Sequence, residues 1–261
     1  MSNPDHEKNR IAWNEMVDVH INHPSYKLKD FLEGWNSLKS IELEHIGDVT
    51  GKKLLHLMCQ FGMDTLSWAR KGAIVTGVDI SDKSIKQANQ LKTKIGLDEA
   101  NFVRSDVIDL IGKIDEKFDI VFQSYGTHCW IEDLDQWAKV VAHYLKPSGI
   151  FYIIDDHPLM TLYLTEDYGY LSKKAERYAN ERDYADFDYI VKNERVEWQH
   201  PISEFVNSLI NAGLTIEFMH EYDIGYYEME KGWVQTGDYW TPPEGPTRHP
   251  LMFALKAKKI I

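Results

Sequence analysis

The stretch KLLHLMCQFGMDTLSWARKGAIVTGVDIS, residues 53–81, predicts a strand, a turn, a helix and a second strand in succession. KLLHLMC and IVTGVDI are short runs dominated by apolar residues, which is typical of strands covered on both faces. MDTLSWARKG lies between them and predicts a helix with Asp64 or Thr65 near its N-cap. This order predicts two parallel strands joined by a helical crossover.

The same alternation continues after this stretch. SDKSIKQANQLKTKIG predicts a helix capped by Ser81 and followed by Gly96, and EDLDQWAKVVAHYLKPSG predicts a helix closed by a Pro-Ser-Gly turn. ANFVRSDV, FDIVFQSY and IFYIID are further strands. LTIEFMHEYD and LMFALKAKK are two more, and they follow a helix from Ser203 to Gly213. The pattern predicts the α/β class with a doubly wound, mostly parallel sheet.

The length of 261 residues favours one domain with elaborations. We expect a single domain over residues 1–261, built from four parts. Residues 1–50 form an N-terminal helical cap, and residues 51–157 form the ligand-binding core. Residues 158–200, rich in Tyr and charge, form an inserted lid over the sheet, and residues 201–261 form a helix and a strand pair.

Composition narrows the partners and the compartment. The formal net charge of -12 argues against a broad surface for nucleic acid or anionic lipid, because both need clustered Lys and Arg. No apolar run approaches the roughly 20 residues that span a bilayer, and the first residues lack the apolar core of a signal peptide. Neither Cys59 nor Cys129 belongs to a CxxC pair, which favours a reducing compartment. We therefore expect a cytoplasmic protein with no nucleic-acid or membrane partner.

Acidic residues follow the second and third predicted strands. Ligands of an open parallel sheet bind at the carboxyl ends of its strands, so these positions are the candidate site. Asp79 stands 17 positions after Gly62 and is placed to accept both hydroxyls of a ribose. Asp106 could accept from an adenine amino group. After the fifth strand come Asp155 and Asp156. The pattern predicts a nucleoside-containing ligand.

The glycine content of the first loop bears on which ligand this is. A pyrophosphate needs close backbone approach, which dinucleotide-binding loops achieve with three glycines. Here Met58 and Gln60 are bulky, and only Gly62 remains. S-adenosylmethionine has no phosphate, so its loop tolerates more side chain. The glycine content favours S-adenosylmethionine over a nicotinamide dinucleotide.

With these landmarks the chain resembles the class I S-adenosylmethionine-dependent methyltransferases of the small-molecule, type 11-like group. The resemblance lies in residues 53–81, in FVRSDV, in FDIVFQSYGTHCW and in the LKPSG turn. His56 stands at the family's acidic position, Met58 and Gln60 at its first two glycines, and Gly62 at its last. The resemblance implies a Rossmann-like seven-stranded sheet with an antiparallel last strand. It also implies a cofactor site formed by His56, Met58, Cys59, Gly62, Asp79, Ile80, Asp106, Val107 and Gln123.

Histidines and aromatic residues are the candidates on the acceptor side. His128 and His157 lie just after the fourth and fifth predicted strands, where a histidine could remove a proton from an acceptor. The alternative is a structural role, since a His-Pro pair such as His157-Pro158 also marks the end of an element. Aromatic side chains expected to contact the acceptor, or to stabilise the lid, are Trp13, Tyr125, Trp130, Trp198 and Trp233. The histidine spacing predicts no metal site.

These observations predict methyl transfer from S-adenosylmethionine to a small-molecule acceptor, with S-adenosylhomocysteine as the product. The first alternative is a non-catalytic protein that binds either form of the cofactor. The second is an NAD-dependent oxidoreductase, which the glycine content disfavours. The sequence leaves the acceptor, the need for a general base, the pathway and the oligomeric state open.

Overall fold

The computed structural model describes residues 3–160, 170–171, 175–245 and 249–260. The helices are α1 Pro4–His20, α2 Leu28–Leu32, α3 Ser40–Ile46, α4 Met63–Arg70, α5 Asp82–Lys94, α6 Leu134–Tyr144 and α7 Ile202–Asn211. The strands are β1 Lys53–Leu57, β2 Ile74–Asp79, β3 Asn101–Arg104, β4 Phe118–Ser124, β5 Leu145–Asp156, β6 Ala175–Tyr178, β7 Glu181–Arg182, β8 Ile190–Val191, β9 Arg195–Trp198, β10 Leu214–Tyr222, β11 Val234–Thr236, β12 Tyr239–Thr241 and β13 Met252–Lys259. No described helix combines the length and apolar character needed to cross a membrane.

Seven of these strands form one sheet in the order β10–β13–β5–β4–β1–β2–β3. The strands β5, β4, β1, β2 and β3 pair in parallel, whereas β13 is antiparallel to both β5 and β10. The predicted mostly parallel sheet with an antiparallel last strand is confirmed. The chain reverses its direction across the sheet between β1 and β4, which opens a crevice at their carboxyl ends.

Helices cover both faces of this sheet, and so its strands are apolar on successive residues. Leu66 and Trp68 of α4 are buried on one face. Trp137 of α6 and Phe205 of α7 are buried on the other, with ring centroids 5.8 Å apart. Burying aromatic side chains on both faces removes a large apolar area from water, which stabilises the layered arrangement.

The segment before the fifth strand differs from the predicted turn. The α6 helix ends at Tyr144, and β5 starts at once with Leu145, so the Pro-Ser-Gly sequence lies inside the strand. Leu145 pairs with Phe118, and the register then shifts. Ser148 takes a left-handed conformation with φ 64°. The turn residues therefore make an irregularity in β5, because the pairing with β4 begins before them.

The cap and the lid meet along α1. The side-chain amide of Asn9 donates to the carbonyl of Val196 at 2.8 Å, and the Val196 N–H donates back to Asn9 Oδ1 at 2.7 Å. The described strands of the lid form two antiparallel pairs: β7 with β8 is a short hairpin, and β6 pairs with β9 on either side of it in the chain. Residues 161–169 and 172–174 of the predicted lid lie outside the described residues. The division into four parts stays a prediction.

Gly62 is required by both conformation and space. Its φ is 82°, and a Cβ built there would lie 2.7 Å from Phe102 Cε1 and 3.0 Å from Ala88 Cβ. We expect Gly62→Ala to lower the free energy of unfolding by about 3 kcal/mol, because left-handed strain adds to overpacking. Denaturant titration measures this loss.

Gly96 provides the matched control for this substitution. It has a φ of 71°, but a Cβ built there meets nothing within 4 Å. Gly96→Ala is expected to cost only about 1 kcal/mol, from conformation alone. Equal losses in the two variants would contradict the role of the Phe102 contact.

Candidate functional site

A cleft opens at the carboxyl ends of β1 to β4, beneath α1. Residues predicted from the sequence that line it are Trp13, Met58, Asp79, Ile80, Asp106, Val107, Tyr125 and Trp130. The cleft is also lined by residues that the sequence did not single out as ligand-binding, which are His6, Asn9, Gln60, Val78, Ser105, Gly126 and Thr127. The structure therefore brings together most of the predicted carboxylate and apolar positions at the switch point of the sheet.

The loop after β1 has the backbone path of a glycine-rich loop with only one glycine. Met58 has a φ of 53°, Gln60 of 51° and Gly62 of 82°. The two non-glycine residues each cost on the order of 1 kcal/mol in this left-handed conformation. The Gly62 N–H donates to the carbonyl of Cys59 at 2.9 Å, which closes the turn. Side chains have thus replaced glycines while the left-handed turns persist.

The Asp79 carboxylate is held by two backbone donors. The Gln60 N–H donates to Oδ2 at 2.8 Å, and the Ser81 N–H donates to Oδ1 at 2.8 Å. Burial raises the pKa of Asp79 to about 6 against the opposing effect of these bonds. Each oxygen keeps further accepting capacity toward the cleft. Ile80 and Val107 line the same cleft with apolar surface, so the arrangement suits a ribose beside a flat apolar ring.

Asp106 contacts the N-terminal helix. Its Oδ2 lies 2.5 Å from Nδ1 of His6, and its Oδ1 accepts from the Ile108 N–H at 3.2 Å. Burial opposes a charge on His6, but the hydrogen bond and charge of Asp106 outweigh it and raise the pKa of His6. His6 thereby closes one end of the cleft over a predicted ligand-binding carboxylate. The helix periodicity of α1 alone does not reveal this contact, since its partner is 100 residues away.

Four predicted cofactor residues support the cleft and are absent from its described lining. His56 Nδ1 lies 2.8 Å from Thr65 Oγ1, and burial lowers the pKa of His56 to about 4. Cys59 is buried, which raises the pKa of its thiol. Gln123 donates to Thr127 Oγ1 at 2.8 Å, and Gly62 packs against Phe102 as described above. Their direct contact with a cofactor stays a prediction.

The two predicted base candidates are also buried outside the described cleft lining. His128 Nδ1 lies 3.5 Å from Asp155 Oδ2. Burial lowers the pKa of His128, but the charge of Asp155 outweighs this and raises it. His157 Nε2 lies 2.9 Å from Glu221 Oε1, and its Nδ1 accepts from the Leu159 N–H at 3.0 Å. Burial lowers the pKa of His157 despite Glu221. Both catalytic roles stay predictions.

The predicted tryptophans fall into two groups. Trp13 and Trp130 meet edge to face above the cleft with ring centroids 5.4 Å apart. Trp198 is buried behind them and packs its ring edge-on against His6 at 5.3 Å. Trp233 is buried in a separate apolar cluster with Met229 and Leu251. Only the first pair lines the cleft, so the acceptor contacts of Trp198 and Trp233 stay predictions.

An acidic pair at the end of β5 shapes the wall of the cleft. Asp155 is fully buried and accepts from the N–H groups of Gly126 at 2.5 Å, Thr127 at 3.0 Å and His128 at 2.9 Å. These bonds hold the loop after β4, which lines the cleft. Asp155 and Asp156 can be identified in the sequence as consecutive acidic residues. The three backbone donors to Asp155 cannot, because they depend on how β4 and β5 align.

Asp156 is connected to the cleft wall through Tyr226. The Tyr226 hydroxyl donates to Asp156 Oδ2 at 3.1 Å, and it lies 3.1 Å from where a Cβ on Gly126 would stand. Burial and the neighbouring charge of Asp155 raise the pKa of Asp156 to about 7. Within the described residues, Oδ1 of Asp156 is buried without a hydrogen-bond partner. The pair can therefore hold a proton beside the cleft near neutral pH.

Tyr125 joins the cleft to the cap. It has a left-handed φ of 50°, and its hydroxyl donates to Glu42 Oε2 at 2.7 Å. Glu42 is fully buried, and its Oε1 accepts from the Lys39 N–H at 2.6 Å. Burial raises the pKa of Glu42 to about 7. The orientation of Tyr125 thus depends on a buried carboxyl group in α3.

The chain is similar to proteins that are described as methyltransferases. Residues 55–153 match the type 11 family model described as a methyltransferase domain. An uncharacterized methyltransferase of Synechocystis sp. is 32% identical over 126 residues, which are 48% of this chain and 56% of that protein. The chain thus spans little more than half the length of that relative. The ubiquinone biosynthesis O-methyltransferase of Saccharophagus degradans is 25% identical over 191 residues, 72% of this chain and 74% of its own.

A solved structure shares the fold. An S-adenosylmethionine-dependent methyltransferase from Methanosarcina mazei superposes with a TM-score of 0.60 at 19% identity, covering 86% of this chain and 100% of that one. At this identity the likeness shows the seven-stranded sheet and its flanking helices.

Glu42 should make stability depend on pH. Its pKa is raised from 4.5 to about 7, so the folded state keeps a proton that the unfolded state releases. The free energy of unfolding therefore falls as pH rises through this window, by about 3 kcal/mol from this group. In Glu42→Gln this contribution is absent, and denaturant titrations from pH 4.5 to 8 should show a shallower decline.

Glu44 is exposed on the same helix and supplies the control. Glu44→Gln should reproduce the pH profile of the unchanged protein. Identical pH profiles for Glu42→Gln and the unchanged protein would contradict the buried, protonated state of Glu42.

Proposed function

We propose that residues 55–153, which match a family model described as a methyltransferase domain, form a class I S-adenosylmethionine-dependent methyltransferase domain, and that the chain transfers a methyl group to a small-molecule acceptor. The observation that carries the proposal is the Asp79 carboxylate, fixed by two backbone donors at the switch point of the sheet and facing the cleft. S-adenosylmethionine supplies a methyl group that its sulfonium charge already activates. The protein's part is positioning, exclusion of water and removal of a proton.

The residues of the cleft fit this cofactor. Asp79 would accept the ribose hydroxyls, Ile80 and Val107 would pack on the adenine, and Asp106 would accept from its amino group. Two cleft carboxylates also suit a ligand that carries a positive charge. A pyrophosphate must approach the loop backbone closely, which side chains hinder. Met58 and Gln60 carry side chains at two left-handed positions of the loop, and only Gly62 does not, which disfavours the NAD alternative.

An enclosed cleft supports a small acceptor. The edge-on pair of Trp13 and Trp130 lies over it, and α1 joins the lid strand β9 through Asn9. These elements narrow the entrance to the cleft, which hinders a polymer more than a small molecule. The name of the Saccharophagus relative places that protein in the synthesis of ubiquinone, which is a small molecule. The enclosure and this relative together favour a small acceptor.

A candidate route for the proton of a hydroxyl or amine acceptor runs through Tyr226 and Asp156, which lie next to Gly126 of the cleft lining rather than in it. The acceptor would give its proton to Tyr226 Oη, and Tyr226 would pass its own to Asp156 Oδ2 across 3.1 Å. The acceptor's lone pair then forms the new bond to the methyl carbon as the carbon–sulfur bond breaks. Burial and the charges of Asp155 and Glu197 raise the pKa of Asp156, and His128 and the Tyr226 hydrogen bond lower it, which leaves it at about 7.

Calorimetric titration with S-adenosylmethionine, S-adenosylhomocysteine and NAD tests the cofactor. We expect micromolar binding of the first two and none of NAD. Asp79→Ala should weaken binding at least about 100-fold, since two hydrogen bonds to a charged group are lost. Asp135→Ala, which removes an exposed carboxylate from α6, is the control and should bind normally. Unchanged affinity in Asp79→Ala would remove that residue from the site.

Turnover separates an enzyme from a non-catalytic binding protein. A panel of phenols, amines and carboxylic acids is screened for formation of S-adenosylhomocysteine. With an accepted compound, kcat should rise with pH through about 7, because Asp156 must lose its proton to act. Asp156→Asn should lose this limb of the profile. A limb that survives in Asp156→Asn but disappears in His128→Gln or His157→Gln would assign the role to a histidine.

A further inference from the structure

Gln60 occupies a position where a glycine would relieve backbone strain. Its φ is 51°, and its N–H donates to the Asp79 carboxylate at 2.8 Å. The backbone role of this residue needs no side chain, and a side chain here only adds to the strain. The strain of this conformation is offset only if the side-chain amide makes contacts of its own.

Those contacts lead away from the sheet toward the cap. Gln60 Nε2 lies 3.1 Å from His20 Nδ1 and 3.1 Å from the Tyr26 hydroxyl. His20 is the last residue of α1 and is fully buried. Because the amide nitrogen is a donor, His20 accepts at Nδ1 and carries its hydrogen on Nε2. The Tyr26 hydroxyl lies 3.2 Å from the same nitrogen, so Gln60 and Tyr26 together hold His20 at Nδ1.

The bonds continue into the lid. His20 Nε2 lies 2.8 Å from Asp183 Oδ2 and 3.0 Å from Oδ1. Asp183 follows β7 and is buried, and its Oδ1 accepts from the Ala185 N–H at 2.9 Å. The Tyr26 hydroxyl lies 2.6 Å from that of Tyr184. One amide therefore joins the cofactor loop to two consecutive residues of the β7–β8 hairpin.

We propose that Gln60 is a positioning residue that fastens the β7–β8 hairpin to the loop of the cofactor cleft. Its backbone N–H orients Asp79, and its side chain holds His20 and Tyr26, which hold Asp183 and Tyr184. Opening the hairpin requires the buried His20–Asp183 bonds and the exposed Tyr26–Tyr184 bond to break. The dissociation rate of the cofactor is therefore set in part by the Gln60 amide. The inference rests on the proposed cofactor for its kinetic consequence, although not for the fastening itself.

Gln60→Gly is the decisive variant, because glycine adopts the left-handed conformation readily and keeps the backbone N–H. Stopped-flow displacement with S-adenosylhomocysteine as the probe should show a dissociation rate about tenfold higher, from two lost hydrogen bonds. The association rate should change much less. Tyr26→Phe should also speed dissociation in the unchanged protein, but should add little in the Gln60→Gly background, since the two groups share one contact.

Hydrogen exchange of residues 181–191 tests the fastening without any ligand. Gln60→Gly should make these amides exchange faster. Met58→Gly, which introduces glycine into the same loop at a left-handed position outside the network, should leave their exchange unchanged. Equal lid exchange and equal dissociation rates in Gln60→Gly and the unchanged protein would overturn the inference. Failure of the unchanged protein to bind S-adenosylhomocysteine would instead overturn the proposed function, and the exchange result would still decide the fastening.

Discussion

The loop after β1 takes left-handed backbone conformations at Met58, Gln60 and Gly62, and the cleft depends on that path. The turns bring the Cys59 N–H to β2 and the Gln60 N–H to the Asp79 carboxylate. A right-handed loop would carry these donors away and leave a buried carboxylate with one donor fewer, a cost that offsets the strain of the turn. The constraint therefore lies in the backbone, and the side chains of these residues can make other contacts.

Charge is organised around the cleft in an uneven way. Asp79 and Asp106 face it directly, while Glu42 and Asp156 lie behind Tyr125 and Tyr226. Burial raises the pKa of the latter two to about 7, so they are largely protonated in mildly acidic solution. Carboxyl groups that can hold a proton give the tyrosines fixed acceptors without placing two full charges in the interior.

The sheet and the Asp79 position could be predicted because both follow from local patterns. Apolar strands separated by helices predict parallel pairing, and a carboxylate at the end of the second strand predicts the ribose position. The contacts of His6 and Asn9 could not be predicted, since their partners are 100 and 187 residues away. The hydrogen bonds from three backbone N–H groups to Asp155 depend on the alignment of β4 and β5, which apolar periodicity does not specify.

Loss of glycines from the first loop illustrates the same limit. In the sequence, Met58 and Gln60 look like erosion of a binding loop. In the structure they keep its conformation, and Gln60 adds contacts to His20 and Tyr26. Composition reports which residue is missing from a motif, whereas only the fold reports what the replacement touches.

The position of β13 bears on how the chain acquires its fold. It is the last described strand in chain order, yet it lies between β5 and β10 and is antiparallel to both. Because β5 and β10 both precede β13 in the chain, their edges facing β13 stay unpaired until β13 inserts between them. Exposed edges of this kind are where nascent chains aggregate. The insertion of β13 therefore completes the sheet, and it protects the edges of β5 and β10 from pairing with other chains.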